Sequence, residues 1–474
     1  MYILGINAAY HDPSACLVQS GRIIAAAEEE RFTHVKHGKR PVPFSAYELP
    51  FHAIDYCLRE AGIDLSEVKH IGYSYDPYRF MPGRPDRVSL PVDPRHYTPA
   101  HGWDSAWDPL FYTYIVNAPR QLVDGVPHHL LKRFHGASPD STFRWHFLEH
   151  HLAHEASAFL AAPFERCAVL TMDGRGEKAT TSYGVYRDGI YERLGQVDMP
   201  HSLGLLYERI TAHLGFLHSS DEYKVMALAS FGRPRYVDAF RRIVKLEGEG
   251  RYRVEPANLV ELFGAARERG GPIEQHHLDI AHSLQAVLEE TVLTMAKWLA
   301  HATGERALAM AGGVALNCVM NAKLRDCGAF DEIWVQPAAG DSGTSLGAAL
   351  WLSHQLDASA QAAAMEHAFL GPGYADAEIE TFLRWSKLAY RKLNEPAEEA
   401  AALLAQDKVI GWFQGRMEFG PRALGARSIL ASPLHANMQV RLNELKDRED
   451  FRPVAPVVLE EAVAEWFVGG RKSP

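Results

Sequence analysis

Residues 166–190 read RCAVLTMDGRGEKATTSYGVYRDGI, and the reading of this stretch decides the fold. An apolar run closes on Asp173, a Gly-rich polar turn follows, and the strand-like run TTSYGVYR leads into the turn Asp188–Gly189. Aliphatic and β-branched runs joined by a two-residue turn carrying Gly predict a hairpin. The same grammar stands at the N-terminus: YILGIN, the polar stretch AAYHDPS, ACLVQ, the turn Ser20–Gly21, and RIIAAA. Asn7 answers to Asp173 and Gly21 to Gly189, an offset of about 166 to 168 residues. Two such units predict an internally duplicated α/β core. A polar residue closing the first strand of each unit would let two lobes clasp a nucleotide phosphate between them.

Outward from these units the pattern turns helical. Ile54, Cys57, Leu58 and Ala61 recur at i, i+3, i+4 and i+7. Leu284, Val287, Leu288, Met295 and Leu299 predict a long amphipathic helix ending near Gly304. RALAMAG and EIWVQ read as buried strands running into Gly-bearing turns. Residues 80–130, rich in Pro, His, Tyr and Trp, read as an insertion or lid. The composition shift at 358–366 places a domain boundary between 356 and 371, with a helix at 375–384 and a strand KVIGWF beyond it.

Composition narrows the function. The chain has 474 residues, room for roughly three domains or lobes. Its formal charge of −10 excludes a generic electrostatic nucleic-acid binder. Five scattered cysteines without a C-x-x-C pair exclude a disulfide framework or zinc ribbon. No apolar run approaches the ~20 residues of a membrane span, and the first residues do not read as a signal peptide. The expectation is a reduced, cytoplasmic protein with no membrane partner. The 24 histidines raise the expectation of metal or proton chemistry.

Three groups of residues carry that chemistry. In EHHLAHEASAF, His150 and His154 stand at i, i+4, so on a helix both imidazoles share one face; His151 with His154 is the i, i+3 alternative. Asp173 and Asp341 each follow a predicted strand, where open α/β sheets place ligands. Two His and two Asp suit Fe(II), Mn or Zn. DGRGE (173–177), AGGVALN (311–317) and GDSGTSLGAA (340–349) are Gly turns after apolar runs, which present free backbone N–H groups to phosphate. Finally Arg416, Arg422, Arg427, Lys446, Arg448 and Arg452 crowd among Gly and Pro, suiting an anion site. Their acidic neighbours leave a solvated, ion-paired face as the alternative.

These motifs resemble the O-carbamoyltransferases of the nodulation-protein and antibiotic-tailoring type. HDPSACLV, EEERFTHVKH, EHHLAHEASAF, TMDGRGEKATT, HSLGLLYERIT, EYKVMALA, GGVALN, QPAAGDSGTSLGAA, GWFQGRMEFGPRALGARSIL and REDFRPVAP occur in the family's order from residue 5 to about 460. The resemblance implies a duplicated, two-lobed actin/sugar-kinase-like core over 1–356. It implies an α+β domain like the threonylcarbamoyl-adenylate synthases from 371 to 474. The implied activity moves a carbamoyl group from carbamoyl phosphate, through carbamoyl-adenylate made with ATP and Mg²⁺, to a hydroxyl of a sugar or secondary-metabolite acceptor.

By resemblance, His150, His154 and Asp341 hold a divalent metal, Fe(II) first and Mn or Zn as alternatives. Asp173, Gly174, Gly176, Gly312, Gly313, Asn317 and Gly340 meet the nucleotide. Arg416, Arg422, Lys446, Arg448 and Arg452 cradle carbamoyl phosphate and ATP. His11 is the candidate base for the acceptor hydroxyl, since a His there can be neutral at pH 7, and a homodimer is compatible with the family. Family members usually continue for roughly another small domain past REDFRPVAP. A second domain cut short at Pro474 is therefore an expectation, with a catalytically incomplete nucleotide- or acceptor-binding protein as one alternative function. An ATP-dependent sugar kinase on the same core is the other.

Overall fold

The computed structural model describes residues 1–38, 49–79, 108–124, 134, 136–138, 140–357, 360 and 363–470. They form two units: Met1–Glu366 with Phe419–Pro421, and His367–Glu418 with Arg422–Pro474.

The first unit holds two five-stranded sheets. Strands β1 (Tyr2–Asn7), β2 (Ser14–Gln19), β3 (Arg22–Glu28), β4 (Val68–Tyr73) and β5 (Arg144–Phe147) lie in the order β3-β2-β1-β4-β5. β1–β2 and β2–β3 pair antiparallel, whereas β1–β4 and β4–β5 pair parallel. The second sheet uses β6 (Cys167–Met172), β7 (Ala179–Arg187) and β8 (Ile190–Asp198). After the separate hairpin β9 (Val244–Gly248) and β10 (Arg251–Val254), it adds β11 (Ala307–Ala311) and β12 (Glu332–Val335). Its order is β12-β11-β6-β7-β8, with β6–β7 and β7–β8 antiparallel and β6–β11 and β11–β12 parallel. The two sheets thus repeat each other strand for strand, as the paired hairpin units predict. Every residue of β6 is buried, and so is all of β1 after Tyr2, as befits central strands covered on both faces.

Helices cover those faces where the apolar spacing put them. Phe51–Glu60 buries Ile54, Cys57 and Leu58, and Gln275–Thr303 stops at Gly304 in the left-handed conformation. Two further helices, His150–Phe159 and Ser342–Leu356, are buried along most of their length. Glycine lets backbones meet there. A Cβ on Gly5 of β1 would lie 1.8 Å from the Ser345 carbonyl oxygen, and one on Gly347 would lie 1.8 Å from that of Ala153. No side chain fits either contact, so β1 and both helices stack backbone on backbone.

Of the expected insertion at 80–130, residues 80–107 and 125–130 lie outside the described residues; Asp108–Val116 and Ala118–Asp124 are helical. The second unit contains the helices Asp376–Ser386, Pro396–Ala405 and Met438–Leu445. Its ribbon pairs β13 (Ile410–Phe413) antiparallel with β14 (Arg427–Leu430). Among the described residues, no helix is long and apolar enough to cross a membrane.

Candidate metal centre and transfer site

The i, i+4 histidines lie on the 150–159 helix as their spacing requires, with their Nε2 atoms 3.2 Å apart. Both imidazoles are buried with no exposure. Asp173 enters from the turn after β6, and Asp341 stands at the N-terminus of the 342–356 helix. Asp173 Oδ2 lies 3.6 Å from His150 Nε2 and 3.8 Å from His154 Nε2. Asp341 Oδ1 lies 3.5 and 3.6 Å from the same two atoms. The chain therefore brings two imidazoles and two carboxylates to one buried point.

Their neighbours aim them. His150 Nδ1–H donates to the Ser74 carbonyl at 3.0 Å, which leaves Nε2 as the free donor atom facing the cluster. Asp173 Oδ1 accepts from the Gly313 backbone N–H at 2.8 Å, turning Oδ2 inward. Glu177 accepts from the backbone N–H groups of His150 at 3.0 Å and Asp76 at 2.7 Å, tying the start of the helix to the loop after β4. Desolvation pushes the Glu177 carboxyl up to about 7, against the opposing pull of His150 and those N–H groups.

A metal ion fits this donor set. Both oxygens of Asp341 are buried without a hydrogen-bond partner among the described residues, an arrangement that is costly unless something else meets them. Donors sharing one ion at about 2.1 Å stand roughly 3.0–3.4 Å apart, close to the separations found here. Without the ion, the carboxylates hold a proton on His150 instead. Burial disfavours charge on His150, but Asp341 and Asp173 outweigh it and raise its pKa well above the usual imidazole value. Asp341 is lowered in turn: desolvation opposes this, and His11 and His150 prevail. His151 points elsewhere, to Ser182 Oγ at 3.1 Å, and desolvation and His154 depress its pKa.

His11 comes from the β1–β2 loop and places Nε2 3.7 Å from Asp341 Oδ2. Desolvation favours the neutral form, but Asp341 and Asp12 outweigh it and push the pKa up to about 10. The glycine turns also converge. Gly312, at φ 91°, packs so tightly that a Cβ would lie 2.1 Å from the Met172 carbonyl oxygen, and its N–H donates to Ala339. Gly313 touches Asp173, Gly340 lies by Leu316, and Gly176 lies by His151. Gly174 faces Glu208, and Asn317 exchanges amide hydrogen bonds with Gln285 at 2.9 and 3.1 Å.

In the second unit only part of the predicted anion cluster gathers. Desolvation and the nearby Arg448 and Arg452 lower the Lys446 pKa, so these three cations share one neighbourhood. Arg416 instead donates to the carbonyls of Leu370 at 2.5 Å and Gly371 at 3.1 Å. Arg422 is exposed, and Arg427 pairs with buried Glu418 at 3.0 Å. Asp12, His37, Ser74 and Glu177 had no role in the sequence reading. Asp12 meets His11 next to it, but its contact with His37, that of Ser74 with His150 and that of Glu177 with Asp76 span 25 to 101 residues, beyond any local spacing signal.

A duplicated α/β core thus carries a buried cluster of two histidines and two aspartates beside the turns that follow β6 and β12. The carbamoyltransferase N-terminus family model matches residues 2–80 and 138–350, and the carbamoyltransferase C-terminus model matches 401–474. The chain belongs to the carbamoyltransferase family. An uncharacterised protein of Synechocystis is 40% identical over all of this chain and 78% of its own length. Nodulation protein NolNO of Sinorhizobium fredii is 37% identical over 97% of this chain, which spans 64% of that relative. Among solved structures, HypF of T. kodakarensis aligns with 76% of this chain and 48% of its own, at 14% identity and a TM-score of 0.38.

Proposed function

We propose that this chain is a metal-dependent O-carbamoyltransferase that passes a carbamoyl group, activated as carbamoyl-adenylate from carbamoyl phosphate and ATP, to a hydroxyl of a sugar or secondary metabolite. The observation that carries the reading is the buried His150–His154–Asp173–Asp341 cluster with His11 at its edge. Family membership supports the carbamoyl group; the unpartnered Asp341 oxygens support the ion, Fe(II) first and Mn or Zn as alternatives. His150, His154, Asp173 and Asp341 would hold such an ion, which would supply positive charge to polarise the donor.

The protein's own groups do the rest. The turns around Gly312, Gly313 and Asp173 offer backbone N–H groups and a carboxylate to the nucleotide. His11 Nε2, 3.7 Å from Asp341 Oδ2, would accept the proton of the acceptor hydroxyl once Asp341, serving as a ligand, no longer held a proton on it. The hydroxyl oxygen bonds to the carbamoyl carbon, the bond to the adenylate phosphate breaks, and AMP leaves with the electron pair. Lys446, Arg448 and Arg452 serve carbamoyl phosphate and ATP in the second unit, with Arg422 beside them in sequence.

The test is incubation with ATP, carbamoyl phosphate, Mg²⁺ and a panel of hydroxyl metabolites, read by pyrophosphate release and product mass. Pyrophosphate with a carbamoylated product supports the reading. Transfer from added carbamoyl-adenylate without pyrophosphate restricts the chain to the transfer step. ADP with a phosphorylated sugar replaces the reading with a kinase.

A further inference from the structure

His11 is gripped from behind. Its Nδ1 lies 2.9 Å from Asp12 Oδ2, and the other oxygen of Asp12 lies 2.9 Å from His37 Nδ1. His37 Nε2 continues to Ser220 Oγ at 3.0 Å, where Lys36 Nζ also donates at 2.8 Å. One carboxylate thus bridges two imidazoles. A carboxylate only accepts, so each imidazole presents an N–H at Nδ1, and Nε2 of His11 is the atom left facing Asp341.

The backbone is bent to make this bridge. Asp12 and His37 both adopt left-handed conformations, at φ 50° and 60°, which cost non-glycine residues about 1 kcal/mol or more each. The strain is held in place by three kinds of contact. Asn7 Nδ2 donates to the carbonyls of His11 at 2.9 Å and Asp12 at 3.0 Å. The Asp12 N–H donates to the His37 carbonyl, and the His37 N–H donates to Glu30 Oε2 at 2.8 Å. Loop closure alone needs only the backbone bonds; the two side-chain bonds to Asp12 set the His11 ring.

We propose that Asp12 and His37 are positioning residues for His11: Asp12 fixes the Nδ1–H tautomer and ring plane of His11, and His37 fixes Asp12. This rests on His11 acting as the proton acceptor. It gives two substitutions opposite outcomes. Asn tolerates the left-handed backbone at either site, so the loop survives Asp12→Asn and His37→Asn alike. At residue 12 an amide cannot accept from both rings, and one imidazole must change tautomer. At residue 37 an amide N–H still donates to Asp12, so His37→Asn keeps what His37→Ala loses.

The experiment uses the full chain, loaded with Zn(II) and ¹⁵N-labelled at histidine, with ring tautomers read by long-range ¹H–¹⁵N correlation. AMP release from carbamoyl-adenylate, with water as acceptor, is measured beside it. In the native protein His11 and His37 should both carry the Nδ1 proton. Asp12→Asn should switch one of them and lower kcat about ten- to a hundred-fold, the usual scale for partners that orient a working imidazole, with KM unchanged. His37→Ala should lower kcat and His37→Asn restore it. Unchanged tautomers and kcat in Asp12→Asn, with His11→Ala inactive, overturn the positioning role and leave His11 as the acceptor. Full turnover in His11→Ala overturns the underlying assignment itself.

Discussion

Loading the metal centre must expel a proton. In the metal-free protein His150 lies 3.6 Å from Asp173 and 3.5 Å from Asp341, and the two carboxylates outweigh its burial to keep it protonated well above the usual imidazole range. An imidazole binds metal only when that nitrogen is free, so an ion at Nε2 displaces the proton. Binding near pH 7 should release about one proton, and affinity should rise about tenfold per pH unit until His150 titrates alone. At an ion concentration of about 100 Kd the folded state gains about 2.7 kcal/mol. Anaerobic titration calorimetry with Fe(II), Mn(II) or Zn(II), in two buffers of different ionisation enthalpy and at a series of pH values, reads the proton release and the pH slope, and urea unfolding with the ion present reads the stability gain. His154→Ala removes one of the four donors and should abolish stoichiometric metal while leaving the fold intact. Heat independent of the buffer, or full metal content in His154→Ala, refutes the reasoning.

Other sites give sharper yes-or-no outcomes. Gly347→Ala forces a Cβ to within 1.8 Å of the Ala153 carbonyl oxygen, so it should cost about 3 kcal/mol or more in denaturant unfolding and lower metal affinity with it. His11→Ala should slow carbamoyl transfer without weakening nucleotide binding, measured as turnover beside an ATP-analogue titration; equal loss of both marks a structural role. Glu222 is pushed up to about 7 by desolvation first, with Glu208 adding to it. A raised acid binds more protons folded than unfolded, so its contribution to stability falls as pH rises from about 4.5 to 7. Glu222→Gln should therefore match the native chain near pH 4 and exceed it by about 1–3 kcal/mol at pH 8, by urea unfolding at each pH.

What the sequence made legible was local. Strand–turn–strand runs foretold both hairpins, because side-chain period and turn chemistry act over a few residues. The spacing of His150 and His154 foretold a shared face for the same reason. The parallel pairing of β1 with β4, and of β6 with β11, needs chain crossovers whose length carries no register. The bridge from His11 through Asp12 to His37 depends on two left-handed residues and a contact across 25 positions. The contacts of Arg416 were hidden for a related reason: its fork meets carbonyls 45 and 46 residues back, beyond any local spacing.

The contact of Gly347 with Ala153 makes the metal centre mechanically lopsided. Three donors ride on two helices whose backbones touch, so the spacing of Asp341 from His150 and His154 is set by main-chain atoms that cannot yield. Asp173 sits instead on a loop and is steadied through the Gly313 N–H. An ion of larger or smaller radius must be accommodated by that one arm. Were an ion held here, size discrimination would fall to the turn holding Asp173, and the turn at Gly312–Gly313, read in the sequence as a phosphate cradle, would act as its spring.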